Sequence, residues 1–81
     1  MIGPALRQKL SYALAFWNQD HPERPVAWEW VEEMALGWIV YLTAQVSGNT
    51  MMAEEGLRRY DEFRRLLPKK LAQLVSDQLP R

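Results

Sequence analysis

Cysteine is missing from this sequence of 81 residues, and histidine occurs once. Without thiols there is no disulfide to staple a small fold and no thiolate to hold a metal, so stability must come from apolar packing. A catalytic constellation needs a nucleophile, a base and a group to orient it, and one imidazole does not supply that set. His21 stands between Asp20 and Glu23 in a proline loop, but three neighbouring polar residues do not close a ligand shell. The expectation for it is a solvated histidine beside a capped turn. Glu32 and Glu33 lie about 100° apart on a helix and cannot face each other as a carboxylate pair. No glycine-rich phosphate loop is present. The sequence therefore predicts a protein that is not an enzyme, with no catalytic, cofactor-binding or metal-binding residues.

An excess of one charge is lacking too, since ten Lys and Arg balance ten Asp and Glu. Zero net charge argues against avid, non-specific nucleic-acid binding. The distribution is uneven, because residues 1–57 carry a balance of −4 and residues 58–81 a balance of +4. Such polarity can orient a partner or a second copy.

Long hydrophobic runs are also absent. The charge-free stretch from Met34 to Val46 has 13 residues, whereas a bilayer span takes about 20. Arg7 and Lys9 precede only a short apolar run broken by Tyr12, which does not make a signal peptide, and two cations in an acid-free first nineteen residues give only weak support to a membrane-surface helix. The expected location is the cytoplasm, with no membrane contact.

What is present is helical periodicity. Leu6, Leu10, Ala13, Leu14 and Trp17 recur three and four apart after Gly3-Pro4, giving an amphipathic helix over about 4–19. Two prolines in "DHPERP", residues 20–25, end it, and Pro25 suits the first turn of the next helix. That helix is expected over 26–46, closed by "SGNT", with Gly48 in a left-handed cap and Thr50 as the cap of a third helix. The third helix, over 50–66, places Met52, Tyr60, Phe63 and Leu67 on one side. Glu54–Arg58, Glu55–Arg59 and Asp61–Arg65 form i,i+4 pairs on the other. Pro68 forces a restart, and a short helix over 68–78 presents Leu71, Leu74 and Val75. The fold class is thus all-α: a bundle of three main helices plus a short C-terminal helix after Pro68, in one domain covering 1–81.

The segment "AWEWVEEMALGWIVYL", residues 27–42, holds three of the four tryptophans. Val31, Met34, Ala35, Trp38 and Leu42 form its core face, flanked by Trp28 and Trp30. The opposite stripe starts with Glu29, Glu32 and Glu33 and turns apolar at Leu36, Ile39 and Val40, so the second half of the helix needs cover on both sides. Gly37 and Ala44, one heptad apart, leave room for another helix backbone to approach. Leu36, Gly37, Ile39, Val40 and Ala44 are therefore the candidate partner or dimer interface. In a two-fold homodimer the acidic start of this helix would lie near the partner's basic bend, which favours an antiparallel arrangement.

A second candidate surface is "RRLLPKK", residues 64–70, where Arg64, Arg65, Lys69 and Lys70 bracket the proline and suit an acidic partner. Ala44, Gly48 and Leu57 copy part of a helix-turn-helix spacing, but the recognition helix would expose Met51, Glu54 and Glu55, and acids there repel phosphate. Nucleic acid at the basic bend is the alternative reading. The leading one is a helical interaction protein, a regulator, adaptor or assembly factor that works through helix faces and self-associates.

Overall fold

The computed structural model describes residues 2–81 as four helices, α1 (Pro4–Asp20), α2 (Trp28–Val46), α3 (Thr50–Leu66) and α4 (Lys69–Gln78), with no strand among them. The periodicity places all four to within two residues. The differences have local causes. Val26 and Pro25 stay outside α2 because the Asn18 side chain pairs with both backbone groups of Val26. Asn18 Oδ1 accepts its N–H at 2.8 Å and Nδ2 donates to its carbonyl at 3.0 Å. A residue held in that way cannot enter the helical ladder.

The cap of α3 is Asn49 rather than Thr50, its side chain accepting the Met52 N–H at 3.1 Å. Gly48 takes φ +72°, the left-handed turn that a glycine makes at no steric cost. Pro68 ends up as the N-cap of α4, extended at φ −54° and ψ 138°, so the chain restarts there.

α2 and α3 form an antiparallel hairpin. Trp30 meets Phe63, Glu33 pairs with Arg59, and Gly37 meets Gly56 and Tyr60, so contacts run down one helix as they run up the other. At the crossing the two glycines face each other. A Cβ on Gly37 would lie 2.6 Å from the Tyr60 nitrogen and 2.7 Å from the Gly56 carbonyl oxygen, and one on Gly56 would meet Tyr41 and Gly37 as closely. Ala44 and Ala53, both buried, continue the seam towards the turn. An adjacent antiparallel pair is not the crossed arrangement of a helix-turn-helix.

α1 and α4 pack on each other and against the first half of α2. Leu10, Val31, Met34, Ala35, Leu71 and Val75 have no exposed surface. Ile2, Leu14, Leu67 and Leu79 close this core around them. Leu74, expected on the core face of α4, is instead 45% exposed. The molecule extends 42 Å along its longest axis, and the end formed by the α2–α3 turn carries neither α1 nor α4.

Candidate interaction surface

The five residues expected at an interface divide three ways. Gly37 and Ala44 face α3 of the same chain, so the backbone that their small size admits belongs to this molecule and neither is open to a second copy. Leu36 and Ile39 are half-buried and pack against the core cluster. Val40 alone lines an open cleft along the hairpin, between α2 and α3, together with Glu33, Glu55, Arg59, Glu62 and Phe63. Met52 and Leu66 fall on the same stripe of α3 by helical spacing, and they are 50% and 51% exposed. Trp30, 42% exposed, closes the far end edge-on to Phe63, with ring centroids 6.5 Å apart. Met52, Leu66 and Trp30 could be placed only once the turn fixed which flank of α3 meets which flank of α2.

Two of the three acids at the start of α2 are paired. Glu32 pairs with Arg7 of α1 at 3.1 Å and Glu33 with Arg59 of α3 at 3.2 Å. Arg7 also sits over the Trp28 ring, 4.9 Å from its centroid, a cation–π contact. Because α2 and α3 are antiparallel, the acidic start of α2 and the basic end of α3 lie at the same end of one chain. That end of the molecule therefore carries both signs, and the charge polarity of the sequence is reduced in the fold.

The basic bend divides as well. Arg64, Arg65 and Lys69 line a groove between α3 and α4 with Tyr60 and Ser76. Lys70, about 100° further round the helix, does not line it. Arg64 and Arg65 both bind Asp61, at 2.6 and 2.8 Å. The Arg64 hydrogen bond, joined by the Arg65 charge against slight desolvation, holds the Asp61 carboxyl below the usual carboxylate range. The same bond holds Arg64 above its ordinary value, as a bond to Glu55 does for Arg58. The i,i+4 ladder expected on α3 is thus partly rewired: Arg58 bonds Glu55 three residues back and Arg59 leaves the helix for Glu33, while Asp61–Arg65 forms as spaced.

His21 is not a free loop histidine. It caps α1, stacks on Trp17 at 3.9 Å with 17° between the planes, and places Nδ1 2.9 Å from the Trp17 carbonyl oxygen. A carbonyl only accepts, so Nδ1 carries the proton. Among the described residues no group of three His, Asp or Glu is placed to hold a metal ion. No helix is long and apolar enough to cross a membrane. No family model matches this chain, and no match is found among curated proteins or solved structures.

Proposed function

We propose that this chain is a non-enzymatic helical interaction protein that self-associates through the open face of its α2–α3 hairpin. The observation that carries the reading is the open cleft that Val40 lines between α2 and α3, with Met52 exposed towards the turn and Trp30 and Leu66 exposed towards the other end of the hairpin. A second copy related by a two-fold axis through Val40 sets the cleft of one chain against the cleft of the other, with Val40 on Val40. The apolar side chains along the cleft are then covered together. A parallel copy would set Met52 against Met52 and leave the charged rim, Glu55, Arg58 and Glu62, facing its own kind.

Val40→Glu tests this directly. The side chain borders an open cleft, so the new carboxylate reaches water in the separated chain and the fold survives. In the dimer it is trapped opposite its own copy. Light scattering is expected to give a dimer for the wild type at high micromolar concentration and a monomer for the variant, with unchanged helical circular dichroism. A wild type that stays monomeric over that range overturns the proposal.

A further inference from the structure

The chain leaves α4 as an extended strap. Leu79 has φ −77° and ψ 148°, the polyproline II region, and the Pro80 ring holds φ near about −65°. Leu79 is anchored in the core, whereas Pro80 is exposed and its carbonyl accepts a hydrogen bond from the Trp38 Nε1–H. That indole belongs to an aromatic group, its ring 5.1 Å from Tyr41 and 5.0 Å from Tyr60. The three rings, with Leu42 and Ser76, line an open groove beside Pro80. Arg81 at the rim is its one charged residue.

We infer that this groove is a docking site for a proline-containing extended segment of a partner protein, and that Leu79-Pro80 is its resident competitor. Segments in polyproline II geometry make no internal hydrogen bonds, so their carbonyls stand free for a donor, and their stiffness keeps the entropy lost on docking small. Aromatic walls and an indole N–H are the groups that hold such segments. This chain already shows the bond in cis. The incoming carbonyl replaces that of Pro80 on Trp38, and its pyrrolidine rings lie against Tyr41 and Tyr60. The Tyr41 hydroxyl accepts from Gln45 Nε2 at 2.8 Å, which leaves its own hydrogen to donate to a second carbonyl. The lining is otherwise aromatic, apolar and neutral, which suits an apolar, proline-containing segment. Trp38 and Leu42 lie about 160° round α2 from Val40, so this site is separate from the proposed dimer face and does not depend on it.

The test titrates a capped peptide of alternating leucine and proline into ¹⁵N-labelled protein and follows the Trp38 indole N–H resonance. A saturable shift of that resonance is expected. Trp38→Phe keeps a ring but removes the donor and weakens binding about five- to tenfold. Pro80→Ala loosens the strap and tightens binding about threefold. The same peptide with alanine in place of proline binds about tenfold more weakly, since it must be ordered on docking. The inference fails if the resonance does not move at millimolar peptide in either the wild type or Pro80→Ala. It fails equally if the alanine peptide binds as well as the proline one, and that comparison stands even if Trp38→Phe does not fold.

Discussion

The two halves of α2 differ in the opposite sense from their composition. The half from Trp28 to Ala35 carries Glu29, Glu32 and Glu33, yet Val31, Met34 and Ala35 within it are fully buried. From Leu36 to Val46 no residue carries a charge, yet Val46 is 91% exposed and, just beyond the turn, Met51 is 79% exposed. Hydrophobicity makes burial favourable, but a partner surface has to be there to receive it. The carboxylates supply part of that partner, since their ion pairs to Arg7 and Arg59 draw α1 and α3 onto the acidic half. α4 runs for only ten residues, about 15 Å, and ends before it can cover the turn. Beyond it the neutral half has the other arm of its hairpin and, over Trp38, the short strap that follows α4.

The largest effect is expected from removing what the two halves share. Gly37→Ala drives a methyl into the α3 backbone at 2.6 Å, where no flexible side chain can yield. The helices must part along their whole length, at a cost of about 2–3 kcal/mol, and the melting temperature falls by roughly 10–20 °C. A melt within a few degrees of wild type would show that the seam is looser than its geometry. The contrast itself is sharpened by one substitution made twice. Val31→Ala, at 0% exposure, costs about 2 kcal/mol. Val46→Ala, at 91%, stays within about 0.5 kcal/mol in the monomer. Urea unfolding measures both, and equal losses would mean that the turn end is covered in solution.

His21→Ala probes the loop that delivers α2 to the core. It removes the stack on Trp17 and the bond to its carbonyl, and about 1 kcal/mol is expected to go with them. Circular dichroism melts would register the loss, and Trp17 emission should shift as its ring is uncovered. The smallest effect belongs to Asp61. Its carboxyl is held below the range of an unfolded chain, so the stability it lends is fully present above that range and is lost as pH falls from there through the lowered value of the folded state. Because the group is exposed, Asp61→Asn should flatten the acid limb of stability against pH only slightly. A steeper limb in the variant would reverse the assigned sign.

The helices were legible because their limits are set by neighbours in sequence: Gly3-Pro4 before α1, Gly48 after α2, and Pro68 between α3 and α4. The start of α2 was not, because Asn18 reaches across eight residues to hold Val26, a bond with no periodic signature. For the interface, spacing identified small residues that admit a backbone and an apolar surplus around Leu36 and Val40. It could not say that α3 would take Gly37 and Ala44 while leaving half-buried Val40 on the edge of an open cleft. Nor could it see that Trp38, assigned to the core, keeps its N–H at the surface for Pro80. Both depend on where the hairpin and the last helix stop, which is decided by tertiary contact and not by pattern.

The α2–α3 hairpin also sets an order in time. Three residues, Ser47 to Asn49, close it, so its contacts are cheap in loop entropy and can form as soon as α3 exists. α1 has its main neighbour in α4, at the other end of the chain, and Leu10 and Leu14 have most of their cover to wait for until Leu71 and Val75 arrive. On a ribosome α1 is therefore made well before the helix it packs against most, and settles only with it. Its amides are expected to exchange with solvent well before those flanking Gly37 and Gly56, which makes α1 the part of the fold most dependent on the chain being finished.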